Sequence, residues 1–153
     1  MSNSKITQIA VIGSAEPIPG LLPIATEVGR VIAARGAVLI CGGLGGAMEA
    51  AARGAKENGG LTVGILPNYD RNSANRFIDV AIPTGLGHAR NILVVASGEI
   101  VIALPGSHGT ESEIAIALKL GKPVLGVRAW RGTAGVKYVD AIEELEKELM
   151  PFF

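Results

Sequence analysis

The chain has 153 residues, a formal net charge of zero, 48% hydrophobic residues and only 18% charged ones. That balance excludes a disordered chain, which needs low hydrophobicity and high net charge, and it provides no basic field for binding nucleic acid through its phosphates. The one cysteine, Cys41, excludes an intrachain disulfide and suits a reducing, cytoplasmic compartment.

Met1 to Thr7 is polar and lacks the apolar core of a signal peptide. Ile6 to Ile12 reads as a first strand ending at Gly13-Ser14. After a loop with Pro17, Pro19 and Gly20, residues Leu21, Ile24, Ala25, Val28, Val31 and Ile32 recur at helical spacing, with Gly36 as the stop. Ala37 to Cys41 is a second strand running into Gly42-Gly43-Leu44-Gly45-Gly46, and a small-residue helix follows from Ala47 to about Asn58. Leu61 to Leu66 is a third strand, Asn68 to Asn75 a polar loop and Ile78 to Ile82 a short fourth strand. Between Gly85 and Ser97 the spacing of neighbours favours a helix, although Ile92 to Ala96 has strand composition. Glu99 to Leu104 is a strong strand, Thr110 to Leu120 a helix, and Pro123 to Val127 the last strand expected. Arg128 to Val136 reads as a loop and Asp140 to Met150 as a charged amphipathic helix. No apolar run reaches the roughly 18 residues of a membrane helix.

Strands alternating with helices imply βαβ units and a parallel sheet. The expectation is one α/β domain over residues 1–153, a Rossmann-like parallel sheet with helices on both faces. In such sheets ligands bind outside the carboxyl ends of the strands. Three loops fall there: Gly13-Ser14-Ala15, Gly42 to Gly46, and Pro105 to Thr110. Backbone amides and a helix N-terminus make each a candidate anion site. The glycines equally serve a tight strand-to-helix turn. Gly42 to Gly46 is not the dinucleotide fingerprint, because Met48 stands where its third glycine belongs, and the chain has no Walker-type phosphate loop.

Pro105-Gly106-Ser107-His108-Gly109-Thr110-Glu111-Ser112-Glu113 resembles the PGGxGTxxE signature of the "lonely guy" (LOG-like) superfamily, often mislabelled as lysine decarboxylases. Gly42 to Met48 resembles its other glycine-rich signature, and Thr84 to Asn91 resembles the arginine-bearing segment between them. Together the motifs cover about Ile9 to Val127, in matching order and spacing. The short length and the Thr84 to Asn91 segment are most similar to the molybdenum cofactor carrier branch. The resemblance implies a protein that binds a phosphorylated nucleotide-like or pterin-like molecule, with molybdenum cofactor as a bound ligand. Its other branch implies a phosphoribohydrolase that cuts the N-glycosidic bond of a nucleoside 5'-monophosphate. It also implies a homodimer or higher homo-oligomer. Neither nucleic acid nor membrane is an expected partner.

The resemblance assigns catalytic or clamping roles to Arg90 and Glu113. Arginine suits bidentate phosphate recognition, and a carboxylate at Glu113 is placed to stabilise a ribosyl cation or position water. Thr110-Glu111-Ser112-Glu113 also fits a capping box, with Thr110 as N-cap and Glu113 reaching back, which by itself explains both residues. The expected phosphate contacts are Gly13, Ser14, Gly42, Gly43, Gly45, Gly46, Arg90, Gly106, Ser107, His108, Gly109 and Thr110. Ser107 replaces the second glycine of the signature, so its side chain either crowds a phosphate or bonds it. Asp70, Arg71, Asn72 and Arg76 flank a loop able to close over a ligand. His88, His108 and Cys41 are too scattered for zinc. Ile114 to Leu120 is apolar nearly all round, which predicts a helix buried on several sides.

Overall fold

The computed structural model describes residues 5–153, so Met1 to Ser4 of the polar leading stretch lie outside the described residues. Seven strands form one sheet: β1 (Gln8–Ile12), β2 (Val38–Cys41), β3 (Leu61–Leu66), β4 (Val80–Pro83), β5 (Ile100–Ala103), β6 (Val124–Val127) and β7 (Lys137–Val139). Their spatial order is β4-β3-β2-β1-β5-β6-β7, and every pairing is parallel. The chain steps outward from β1 to β4, then returns to the other side of β1 as β5. The order therefore reverses between β1 and β5, where an open α/β sheet forms its ligand crevice.

The helices are α1 (Leu21–Ala34), α2 (Ala47–Glu57), α3 (Arg90–Ser97), α4 (His108–Lys119) and α5 (Ile142–Leu149). Side chains alternate across a strand, and the core follows that alternation. Ile9, Val11, Leu39, Cys41, Ile100 and Ile102 pack under α1, α2 and α5. Ala10, Ile12, Ile40, Val101 and Ala103 pack under α3 and α4. Strands buried on both faces carry the continuous Val, Ile and Ala runs expected of a parallel sheet.

Helices α1 and α2 approach each other backbone to backbone. A Cβ built on Gly29 falls 1.9 Å from the Ala51 carbonyl oxygen, and one on Gly54 falls 1.9 Å from that of Thr26. Neither contact yields without moving a helix. Gly29→Ala and Gly54→Ala are each expected to destabilise the protein by about 1–3 kcal/mol, read as a lower midpoint in thermal unfolding. An unchanged midpoint would mean the helices do not pack this closely.

The structure corrects several sequence expectations. Val124–Val127 is not the last strand; Lys137–Val139 adds a seventh at the sheet edge. Three residues are too few to give a periodicity to read, and pairing with β6 creates the strand. Helix α4 begins at His108, two residues earlier than expected, with Ser107 at the N-cap position. The helix is also not enclosed within the chain: it buries Thr110, Ile114 and Ala117, while Ala115, and Leu120 just past its end, are exposed. The segment before Ser97 resolves as helix from Arg90, preceded by a short 3-10 turn. Among the described residues no helix is long and apolar enough to cross a membrane.

Candidate functional site

Three strand-end loops are laced together at the switch point. The Ser14 amide donates to the Pro105 carbonyl at 2.9 Å, and the Ala47 amide donates to the Ser14 carbonyl at 2.8 Å. The loops after β1, β2 and β5 thus share one backbone network. They wall a cleft of about 510 Å³, which also takes in the start of α3. Its floor is apolar, with Val11, Ile12, Leu44 and Met48.

Of the four ionisable residues that line this cleft, Glu16 and His88 are exposed at its rim, whereas Arg90 and Glu113 are buried or half-buried within it. Arg90 is a buried guanidinium at the start of α3. Its Nε donates to the Ile65 carbonyl at 2.9 Å, Nη2 reaches the Gly42 carbonyl at 3.4 Å, and Nη1 donates to the Asn91 side chain. A guanidinium has five N–H groups. Three are engaged, so two remain to meet a ligand. Gly42 has no side chain for a spatial reason: a Cβ there falls 2.7 Å from both Arg90 Nη2 and Met48 Sδ. Burial lowers the pKa of Arg90, and the Glu113 carboxylate opposes that shift.

Glu113 lies one turn into α4. Because α4 starts at His108, neither Thr110 nor Glu113 occupies a capping position, and no side-chain cap closes this helix. The capping-box expectation is therefore overturned: Thr110 sits inside the first turn, and Glu113 points into the cleft. Burial pushes the Glu113 carboxyl up to about 7, against the pull of Arg90. No ion pair joins the two among the described residues. At neutral pH Glu113 divides between an acid that donates and a carboxylate that accepts.

The turn from Gly106 to Thr110 forms the remaining wall. The Glu111 amide is the first to bond back along α4, to the Ser107 carbonyl at 3.0 Å. The amides of His108, Gly109 and Thr110 are the orphan donors of a helix start. A Cβ on Gly106 would fall 2.0 Å from Thr110 Oγ1, so only glycine fits there. Ser107, Gly109 and Thr110 line the cleft.

Of the residues singled out from sequence, the structure brings Gly13, Ser14, Gly42, Arg90, Ser107, Gly109, Thr110 and Glu113 to one cleft. Gly43, Gly45 and Gly46 do not line it. Gly43 and Gly46 hold positive φ, 77° and 62°. A Cβ on Gly46 would strike the Ser14 carbonyl at 2.2 Å, and one on Gly43 would strike Leu66 at 2.8 Å. These two glycines serve chain geometry. Gly106 lies behind the turn, and the His108 side chain is fully exposed beside Glu111. Asp70, Arg71, Asn72 and Arg76 do not line the cleft either. Their loop is pinned by Asn75, whose amide donates to the Gly43 carbonyl at 2.9 Å and whose side chain donates to that of Leu44 at 2.8 Å. Met48, Asn91, His88 and Pro67 line the cleft without having been expected to. Met48 carried a signal, since it stands where the third glycine of the Rossmann fingerprint would pack the helix against the strand. Among the described residues no group of three His, Cys, Asp or Glu converges on a metal-sized site.

The SLOG cluster4 family matches residues 6–150. An uncharacterized protein of Archaeoglobus fulgidus is 47% identical over 140 residues, 92% of each chain. A cytokinin riboside 5'-monophosphate phosphoribohydrolase of Mycobacterium tuberculosis is 34% identical over 139 residues, 84% of this chain and 74% of its own length. The molybdenum cofactor binding protein from the phototrophic bacterium Rippkaea orientalis superposes with a TM-score of 0.90 at 35% identity, over 97% of this chain and 98% of that one.

Proposed function

The chain belongs to the SLOG cluster4 family, a LOG-like group near the molybdenum cofactor carrier branch, and from that premise we propose that it binds a phosphorylated pterin-like or nucleotide-like molecule as cargo. The observation that carries this reading is the pairing, in one cleft, of orphan amides at the first turn of α4 with the buried Arg90 guanidinium. The amides and the helix dipole seat a phosphate. The two free N–H groups of Arg90 clamp a second anionic or carbonyl group. The apolar floor of Val11, Ile12, Leu44 and Met48 accepts a flat ring. Gly13 and Gly42, having no side chains, let the ligand approach the backbone beside Ser14. Molybdenum cofactor fits this donor set through its phosphate and its pterin. The full-length likeness to the Rippkaea orientalis protein supports the choice.

A second reading is favoured by one specific observation. Glu113 is freed from capping, lies in the cleft and titrates near neutrality. A group so placed supports N-glycosidic cleavage of a nucleoside 5'-monophosphate: it stabilises the developing ribosyl cation, or takes a proton from the attacking water. The relative in Mycobacterium tuberculosis supports this alternative.

The experiment that separates the two incubates the protein with AMP and with 6-hydroxymethylpterin phosphate, following binding by calorimetry and free base by chromatography. Binding without base release is the expected result. Release of adenine would establish the hydrolase reading instead. We also propose a homo-oligomer, because Ile92 and Leu93 on α3 and Leu120, just past the end of α4, are exposed apolar side chains. A monomer in sedimentation would remove that part.

A further inference from the structure

A second cavity, of about 310 Å³, opens on the other side of the Gly106 to Thr110 turn. It shares Ser107 and Thr110 with the main cleft, so one turn is the common wall of both. Its outer wall is the loop after β6, which contributes Trp130, the only tryptophan of the chain.

That loop is braced at Arg128, Arg131 and Thr133. Arg128 is the only non-glycine residue with positive φ among the described residues, at 51°. Such a conformation is disfavoured for a residue with a side chain, and here it is held by Arg128 Nε donating to the Asp140 carbonyl at 3.0 Å. Arg131 pairs with the Asp140 carboxylate at 2.7 Å and lies over the Tyr138 ring. The Thr133 amide donates to the Tyr138 hydroxyl at 3.1 Å. Among the described residues no hydrogen bond holds the Trp130 indole, which is 79% exposed. The loop therefore fixes its own backbone under strain and leaves a flat aromatic face free at the cavity. Strain of this kind persists where the surroundings over-determine it, and it clusters at ligand clamps.

We infer that the second cavity takes the second planar ring of a dinucleotide-like ligand, stacked on Trp130, with the phosphate bridge resting on the shared turn. The inference rests on the phosphate seat proposed above and narrows its ligand class. The main cleft holds one ring and the second cavity the other. A mononucleotide fills only the first.

The test compares AMP with diadenosine diphosphate and NAD, by calorimetry and by quenching of the single tryptophan. At least one dinucleotide is expected to bind about tenfold tighter than AMP, in line with stacking of one base, and to quench the fluorescence, which AMP leaves unchanged. Trp130→Ala should erase the dinucleotide advantage without altering AMP binding, and Trp130→Phe should restore most of it. If AMP binds and no dinucleotide binds tighter, the inference falls and the proposed function stands. If a dinucleotide binds tighter and Trp130→Ala leaves that gain intact, the inference also falls. If neither AMP nor any dinucleotide binds while 6-hydroxymethylpterin phosphate does, the inference falls and the proposed function stands; if none of the three classes binds, both fall.

Discussion

Arg90→Ala weakens AMP binding by about a hundredfold and also lowers stability. The affinity term follows from the two guanidinium N–H groups left free in the cleft. A hydrogen bond to a charged group contributes about 1.5–3 kcal/mol, and losing two such bonds to a phosphorylated ligand amounts to about a hundredfold or more. The stability term has a separate cause. Arg90 is only 8% exposed and donates to the carbonyls of Ile65 and Gly42. Truncation leaves those acceptors without their partner at a cost of about 1–3 kcal/mol. Arg90→Lys keeps the charge but not the fork, since one ammonium cannot meet Ile65, Asn91 and a ligand in those directions. It should recover stability only in part and affinity hardly at all. Calorimetry with AMP and thermal unfolding on the same samples check both terms. Unchanged affinity in a folded Arg90→Ala protein would remove Arg90 from the site.

Glu113→Gln is expected to stabilise the protein at pH 8 and leave it unchanged at pH 4. The Glu113 carboxyl has its pKa raised from 4.5 to about 7 by burial. The folded state therefore holds the proton more tightly than the unfolded one. Below pH 4.5 both states are protonated and the group contributes nothing. As pH rises from 4.5 to 7 the unfolded chain ionises freely while the folded chain resists, so stability falls. Above 7 the penalty is complete, up to about 3 kcal/mol at 1.36 kcal/mol per pKa unit. Glutamine removes the titration, and its unfolding midpoint should lie a few degrees higher at pH 8. The same variant decides between the two proposed functions. A hydrolase loses base release by about a hundredfold or more, whereas a carrier keeps its affinity. Ligand affinity has a pH signature too. A phosphate gains its second charge above about pH 6, and Glu113 becomes a repelling anion above about 7. Binding should peak between those values, and Glu113→Gln should abolish the fall on the alkaline side. A wild-type unfolding midpoint that stays flat from pH 5 to 8 would show that Glu113 is not buried as described.

The sequence by itself determined the sheet and its loops. Runs such as Ile9 to Ile12 and Val38 to Cys41, each closed by glycine, are unambiguous, because a parallel strand buried on both faces has no use for polar residues. The same logic placed Gly13, Gly42 and the Gly106 to Thr110 turn at carboxyl ends of strands, where a ligand belongs. Local patterns could not decide what depends on the chain meeting itself. The capping pattern at Thr110 was satisfied on paper, but α4 starts two residues earlier, and that shift turns Glu113 from a cap into a cleft acid. Gly43 and Gly46 looked like phosphate ligands, yet their neighbours in space, Leu66 and Ser14, are what forbid a side chain there. Gly29 and Gly54 gave no local signal, since their reason is the backbone of the facing helix. Strand β7 exists only because β6 offers it a partner. Periodicity records which residues are buried, which is a property of one segment. The direction of a side chain and the spacing of two backbones are properties of pairs of segments, and only the tertiary structure sets them.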